Sequence, residues 1–274
     1  MCKLIQDAVI KWYNQPNFNN FNNMNKVLII GVSSGIGRAL VKKLIKEKSV
    51  VWGVARRENL LSELSQELNN KPAFIYQSLD ISKKNSWKNI LLNMKKKKFK
   101  PNIVVFNAAI NQNDLELDIN PEMTKKIFQV NFFSILEGIK VLIPYMNQHS
   151  QYIAVSSSSA LKGNAKEGIG YPSSKSAISI AFESLYQKYY LSGKMFTTVS
   201  FGPINTGMKR FKTAPPFTLS EENAVNCIIK AINGKKGFYY CPQISFIFLK
   251  VVKAILPNEI ALKLFSIIEK KYNN

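Results

Sequence analysis

Lys26-Val-Leu-Ile-Ile-Gly31-Val-Ser-Ser-Gly35-Ile-Gly37-Arg-Ala-Leu-Val-Lys-Lys-Leu-Ile45 is the stretch whose reading decides the fold. Its opening residues, up to Ile30, form an apolar run ended by glycine, as in a strand buried on both faces. Beyond the glycines the apolar period lengthens to that of a helix, with Ile36, Leu40, Val41, Leu44 and Ile45 on one stripe. A strand, a glycine turn and a helix N-terminus together predict a cradle for an anionic phosphate. Free helix N–H groups and the macrodipole favour negative charge there. The glycines supply positive φ and let a ligand approach the backbone with no Cβ in the way.

Gly31, Gly35 and Gly37 follow G-x-x-x-G-x-G, not the G-x-G-x-x-G of the commoner dinucleotide fingerprint. On this spacing, and on the motifs downstream, the chain resembles the short-chain dehydrogenase/reductase family, whose turn reads T-G-x-x-x-G-I-G. Ile30 stands where the family has Thr, which removes a bracing hydroxyl and leaves the glycines intact. The resemblance runs from Lys26 to Tyr240 with the motifs in the family's order. It implies an α/β fold: a doubly wound (Rossmann), mostly parallel seven-stranded sheet with helices on both faces. It also implies that Gly31, Ser33, Ser34, Gly35, Ile36 and Gly37 hold the cofactor's phosphates.

A second strand, Val50–Val54, is followed by Ala55-Arg56-Arg57 and a leucine-periodic helix to Leu68. The end of this strand is where a dinucleotide-binding fold meets the adenosine ribose. An acid there would accept from both ribose hydroxyls and repel a 2′-phosphate. Here the position is Ala55, and two guanidinium groups follow, whose planar forks suit phosphate. Paired arginines also suit the plain surface of a basic protein, but the missing acid and the pair together select NADP(H) over NAD(H). A third strand, Ala73–Ser78, leads to Asp80. By family position Asp80 accepts from the adenine amino group; by its place before a helix it is equally a cap. A fourth strand, Asn102–Phe106, ends in Asn107-Ala108-Ala109, similar to the family's N-N-A-G, so Asn107 and Ala108 inherit cofactor contacts by position.

Asn131 falls inside an apolar helix spanning about Met123 to Leu142, where an amide needs partners. The resemblance implies that it kinks the helix and holds a water in a proton relay. A fifth strand, Gln151–Val155, runs into Ser156-Ser157-Ser158-Ser159, and then Tyr171-Pro-Ser-Ser-Lys175 precedes a long helix from Ser176 to Leu191. Tyr171 and Lys175 are four apart and share a helix face. A free phenol titrates near about 10, and a neighbouring ammonium lowers that value. The resemblance makes Tyr171 the general acid/base, Lys175 the ribose ligand that tunes it, Asn131 the relay, and a serine the group that polarises the carbonyl. Matching Val155-Ser156-Ser157 to the family's I-S-S gives Ser157; counting back from Tyr171 gives Ser158. Strand-end geometry selects Ser157. A sixth strand, Met195–Ser200, ends in Phe201-Gly-Pro-Ile204-Asn-Thr206, where the Ile204 backbone and the Thr206 hydroxyl are matched to the nicotinamide amide. Gly207–Thr218 reads as a loop over the substrate. Thr218-Leu-Ser-Glu221 reads as a capping box for a helix to Ile232, and Phe238–Tyr240 as the last strand.

A chain of 274 residues that is 46% hydrophobic suits one α/β domain with an ample core. Residues 25–242 are expected to be that catalytic domain. Residues 1–24, with an Asn-rich low-complexity segment, are expected to be a flexible extension. Residues 243–274 are expected to form a tail of two amphipathic helices packed on the domain, covering the substrate mouth, meeting a second subunit or touching a membrane. Cys2, Cys227 and Cys241 are scattered, without metal spacing, which points to a reducing compartment and no structural disulfide. With no signal-peptide core and no bilayer-length apolar run, the expected location is cytoplasmic. Lys+Arg number 38 against 17 Asp+Glu, a net charge of +21. That balance suits an anionic substrate, but lysine is spread everywhere. The run Lys95–Lys100 lacks the interleaved aromatics used for base stacking, so no nucleic-acid partner is expected. Residues Ala177–Tyr186 are apolar on more than one face, which predicts a homo-oligomer, dimer or tetramer, built on the helix carrying Tyr171. The whole reading is an NADP(H)-dependent oxidoreductase moving a hydride between nicotinamide and a carbonyl or secondary alcohol. The alternative is a catalytically idle dinucleotide-binding sensor or interaction protein on the same fold.

Overall fold

The computed structural model describes residues 25–163, 165–205 and 214–273, with side chains as far as residue 267. Seven short strands make the main sheet: β1 (Lys26–Ile30), β2 (Val50–Ala55), β3 (Phe74–Ser78), β4 (Ile103–Phe106), β5 (Ser150–Ser157), β6 (Lys194–Phe201) and β9 (Phe238–Cys241). They pair in the order β3-β2-β1-β4-β5-β6-β9, every pairing parallel. A two-residue parallel pair, β7 (Ile204–Asn205) with β8 (Leu219–Ser220), lies apart from this sheet.

Parallel neighbours need crossover connections, and here helices supply them on both faces. Val27 and Ile29 of β1 point into one core with helices α1 (Gly35–Lys46), α2 (Glu58–Glu67) and α7 (Glu221–Gly234). Leu28 and Ile30 point into the other, with α3 (Ser86–Lys96), α5 (Ser134–Leu142) and α6 (Gly170–Tyr189). Alternate residues of one strand therefore feed two cores, which is why β1 and β4 read as nearly unbroken apolar runs. Ile30 is in register with Val54 on one side and Phe106 on the other, so β1 is an interior strand, beside the central β4. The chain order reverses on either side of β1, and ligands of such sheets bind beyond the carboxyl ends of the strands at that point.

The predicted doubly wound, seven-stranded architecture is the observed one. Three local expectations differ. The helix after β4 begins at α4 (Pro121–Phe128) and continues to α5 through a π-helical turn, Gln129–Phe133. α6 begins at Gly170 instead of Ser176, so Tyr171 and Lys175 lie in its first two turns. The capping box at Thr218 is not formed. Leu219 and Ser220 stay extended to pair with β7, which delays the helix until Glu221. Ser220 Oγ then accepts from the Asn223 N–H at 3.2 Å, while Thr218 Oγ1 donates to the Pro215 carbonyl at 2.6 Å.

After β9, α8 (Gln243–Ile255) and α9 (Asn258–Asn273) form the tail, with Val252, Ala261 and Phe265 as a small core of their own. The outer face of α8 exposes Ile244, Ile247, Phe248, Val251 and Ile255. Among the described residues no helix is long and apolar enough to cross a membrane. The cysteines that read as scattered are partly gathered: Cys227 and Cys241 are free thiols in hydrogen-bond contact, which lowers Cys227 to about 7 and raises Cys241. The expected extension 1–24 with Cys2, Thr206, and the loop as far as residue 213 lie outside the described residues.

Candidate active site

The glycine turn is as tight as its spacing requires. Gly31 has φ +94°, and a Cβ on it would lie 2.6 Å from the Ala108 nitrogen; one on Gly37 would lie 1.9 Å from the Gly31 carbonyl oxygen. Behind the turn, the Ala108 N–H donates to the Ile30 carbonyl at 2.7 Å, and Asn107 Nδ2 donates to the Gly31 carbonyl at 2.7 Å. Asn107 and Ala108 thus brace the turn from below. Ile36 packs on the core beneath. The N-terminus of α1 stays open: Ser34 makes no side-chain cap, and the first turn holds no acid. Its N–H groups have no intrahelical acceptors and face the turn. The Arg57 guanidinium crosses from the end of β2, its Nη2 donating to Ser33 Oγ at 2.8 Å and Ser34 Oγ at 2.9 Å. Backbone without room for a Cβ, an open helix end and a guanidinium at the rim together fit a phosphate-bearing dinucleotide.

Arg56 and Asp80 lie beside this loop. The Arg56 carbonyl accepts from Ser78 Oγ at 3.2 Å. Asp80 Oδ1 accepts from the Ser82 N–H at 2.9 Å and its hydroxyl at 2.7 Å, so it closes a local turn and does not cap α3, which starts at Ser86. Burial pushes the Asp80 carboxyl up, but the Ser82 hydrogen bonds, then Arg56 and Lys83, outweigh it and hold it below its ordinary value.

The second part of the site is mounted on α6. Its leading N–H groups are taken by Asp114, a buried carboxylate in the loop after β4. Oδ1 accepts from Ile169 at 2.5 Å and Oδ2 from Gly170 at 2.8 Å, with the Thr124 hydroxyl as a third donor. Burial raises the Asp114 carboxyl, yet the Thr124, Ile169 and Gly170 hydrogen bonds prevail and hold it low. Sequence reasoning missed Asp114, because nothing local marks a helix cap that arrives from 56 residues away.

On this mount Tyr171 and Lys175 share one face. Lys175 is 3% exposed, its Nζ donating to the Val155 carbonyl at 2.8 Å and lying 5.7 Å from the Tyr171 ring centroid. Burial lowers the Lys175 ammonium to about 8. The phenol departs from the sequence expectation of a lowered pKa. Burial of its hydroxyl, then the negative charge of Glu167, push Tyr171 above its ordinary value, with a Ser157 hydrogen bond acting the other way. The ammonium is held by a strand carbonyl and is itself desolvated, so it does not offset them. In this state Tyr171 is a protonated hydroxyl, suited to donating.

The serine beside Tyr171 is Ser157, at the end of β5; Ser158 opens the 3-10 turn Ser158–Leu161. Ser157 Oγ donates to Ser159 Oγ at 3.0 Å, and Ser159 Oγ meets Glu167 Oε2. Glu167 and Ser159 were also missed, although an acid four residues before Tyr171 is a visible signal. Asn131, fully buried in the π turn, binds both backbone groups of Ile110: its Oδ1 accepts from N–H at 2.9 Å and its Nδ2 donates to the carbonyl at 3.0 Å. Nδ2 also reaches Ser174 Oγ at 3.1 Å, joining the loop after β4 to α6. Ile204 sits in β7, opposite Leu219.

Comparison with known proteins covers the same span. A family model described as short chain dehydrogenase matches residues 25–216. An NADPH-dependent pterin aldehyde reductase of Arabidopsis thaliana is 30% identical over 184 residues, 66% of this chain and 75% of that protein. Epidermal retinol dehydrogenase 2 of Homo sapiens is 30% identical over 244 residues, 84% of this chain and 78% of that protein. The solved structure of a short chain dehydrogenase from Burkholderia cenocepacia J2315 in complex with NADP superposes with a TM-score of 0.70, covering 88% of this chain and 96% of that one at 20% identity.

Proposed function

The chain belongs to the short-chain dehydrogenase family, and on that premise we propose that it is an NADP(H)-dependent oxidoreductase that reduces a small-molecule carbonyl to the corresponding alcohol through Tyr171. Gly31, Ser33, Ser34, Gly35, Ile36 and Gly37 hold the cofactor's diphosphate, while Arg57, with Arg56 beside it, reads the 2′-phosphate. Asp80, Asn107, Ala108, Ile204, Thr206, Tyr171 and Lys175 complete the cofactor contacts. Bound there, the nicotinamide supplies the hydride, and the protein orients the partners and manages charge.

Tyr171 donates its proton to the carbonyl oxygen as negative charge develops on it, with the Ser157 hydroxyl as the second donor. Lys175 steadies the phenolate left behind, because an ammonium at this distance favours the ionised form once the proton has gone. Asn131 keeps α6 in place against the loop after β4.

The observation that carries the reading is the convergence of Ser157, Tyr171 and Lys175, in a chain that also carries the open glycine turn and helix end of α1. The raised Tyr171 pKa supports the reductive direction, since the acid form is the one populated. Ala55 at the ribose position and the Arg57 contacts support NADP(H), as does the NADPH dependence of the pterin aldehyde reductase relative. A panel of aldehydes and ketones incubated with NADPH and with NADH, followed at the nicotinamide absorbance, tests it. Carbonyl-dependent oxidation of NADPH is expected; cofactor binding without turnover of any carbonyl would instead favour an idle dinucleotide sensor. We also propose a homo-oligomer built on α6, where Ile180 is 62% exposed; a single 31.1 kDa species in light scattering would refute it.

A further inference from the structure

α8 is buried on one side only. On its inner side Phe246 packs on Tyr240 with ring centroids 4.5 Å apart, and Val252 joins Ala261 and Phe265 of α9 in the small tail core. Ser245 lies against Gly202, where an added Cβ would sit 3.2 Å from its Oγ. On the opposite side Ile244, Ile247, Phe248, Val251 and Ile255 recur at i, i+3, i+4, i+7 and i+11, which places them on a single stripe. Their exposure runs from 44% at Phe248 to 74% at Ile255. A continuous set of large apolar side chains this exposed marks a surface that meets an apolar partner. The inner contacts hold the helix on the domain, so the stripe is a fixed feature of its surface.

Lysines flank the stripe on the side turned toward the domain. Lys250 Nζ lies 4.6 Å from the Tyr240 ring centroid, and Lys253 Nζ donates to the Leu161 carbonyl at 2.6 Å. Between residues 243 and 267 the charged groups are Lys250, Lys253 and Lys263 against Glu259 alone, within a chain of net charge +21. A protein partner is poorly matched to this face. Stable protein interfaces take about 20–30 residues a side and are depleted in Lys. One helix face with this stripe falls short of that, and two copies of so basic a chain repel one another. An anionic bilayer matches both features at once: its acyl boundary takes the apolar stripe, and its headgroups take the lysines. Among the described residues no helix is long and apolar enough to cross a membrane, so the contact lies in the plane of the surface.

We propose that α8 is a membrane-docking helix, lying along an anionic lipid surface with its apolar stripe set into it. The helix leaves β9 at Cys241, which is in register with Phe201 at the end of β6. Docking therefore takes place at the carboxyl edge of the sheet, the edge that carries the candidate site. Lipid binding needs neither cofactor nor substrate, so this proposal and the proposed function stand or fall separately.

The test mixes the full chain with vesicles of phosphatidylcholine alone, or of phosphatidylcholine with phosphatidylserine as the minor component, and measures the protein that sediments with them. Wild type should bind the anionic mixture at least about 10-fold more tightly than phosphatidylcholine alone, since each lysine near such a surface adds several-fold. Ile247→Ser/Val251→Ser/Ile255→Ser changes no charge and touches only exposed positions. It should bind the anionic vesicles at least about 10-fold more weakly than wild type, with circular dichroism and thermal unfolding unchanged. Ile255→Ser alone, at the most exposed position of the stripe, should lose about 3-fold and serves where the triple variant folds poorly. Wild type left in the supernatant by both kinds of vesicle would overturn the proposal. So would folded variants that bind like wild type, since the attraction would then come from net charge alone. A wild-type mass in light scattering that halves in the variant, with no vesicle binding by either, would place a second copy on this face and overturn it equally.

Discussion

Two helices start at the same edge of the sheet and treat their N-termini in opposite ways. α1 begins behind the glycine turn with no side-chain cap and no acid in its first turn. α6 begins with the Asp114 carboxylate already seated on the N–H groups of Ile169 and Gly170. Both ends carry the same positive partial charge from the helix dipole. Left open, that charge is a binding site for an anion from outside; satisfied from within, it makes a rigid mount. The first suits a cofactor that comes and goes, and the second suits a tyrosine whose hydroxyl must not move.

Closing the open end should have the largest effect. In Gly37→Ala the new Cβ would fall 1.9 Å from the Gly31 carbonyl oxygen, so the turn must shift and the cradle with it. NADPH affinity measured by nicotinamide fluorescence should drop by more than about 100-fold, equivalent to at least about 2.7 kcal/mol. Near-normal affinity would mean that the turn is not the phosphate site.

Opening the closed end should come next. Asp114→Ala strips the acceptor from three donors, Thr124 Oγ1 and the Ile169 and Gly170 N–H groups. Unsatisfied buried donors cost about 1–3 kcal/mol each, not additively, so a stability loss on the order of 4 kcal/mol is expected from denaturant unfolding. Because the Asp114 carboxyl is held low in the folded state, its contribution is present above the unfolded carboxylate pKa. It is lost as pH falls through the folded value. Wild type should therefore lose stability on acidification more steeply than Asp114→Ala does.

Lys175→Met should act with the opposite sign. The ammonium titrates at about 8 in the fold against 10.5 for the free side chain. Between those values the unfolded chain binds more protons, so wild-type stability should rise with pH across that window, and below it the cost of the buried charge is present in full. Above pH 10.0 the raised Tyr171 begins to oppose this, which sets the upper end of a clean measurement. Near neutral pH the variant should be more stable than wild type by up to about 3 kcal/mol, yet inactive. A variant less stable at neutral pH would show that Lys175 stabilises the fold.

The smallest effect concerns the rim of the open end. Arg57→Ala removes the guanidinium bound to Ser33 and Ser34. The preference for NADPH over NADH in kcat/KM should fall by about 10-fold, the scale of about 1.4 kcal/mol for one charge-assisted contact. An unchanged preference would move the reading of the 2′-phosphate to Arg56.

The sequence revealed the open end far better than the closed one. Strand, glycines and helix of the cradle are contiguous, and their periods change at Gly31 and Gly37, so local sterics are visible in the letters. Tyr171 and Lys175 were equally legible, being one helical turn apart. Long-range satisfaction was hidden. Asp114 caps a helix starting 56 residues later, and Asn131 pairs with Ile110 and Ser174 across two separate elements. The direction of the Tyr171 shift was hidden too, because it depends on burial and on Glu167, and the spacing to Lys175 alone suggested the reverse. The false cap at Thr218 has a related cause: a motif chosen by local pattern yielded to two residues of strand pairing.

The central claim is that Tyr171 delivers the proton. Wild type and Tyr171→Phe should be compared in the rate of NADPH oxidation with the best carbonyl from the panel, with NADPH affinity measured on both. The substitution removes one hydroxyl and keeps the ring, so packing at the start of α6 should survive. Turnover is predicted to fall by about 10²–10⁴-fold while NADPH affinity stays within about two-fold, under ~0.5 kcal/mol. A Tyr171→Phe protein that turns over near the wild-type rate would contradict the account.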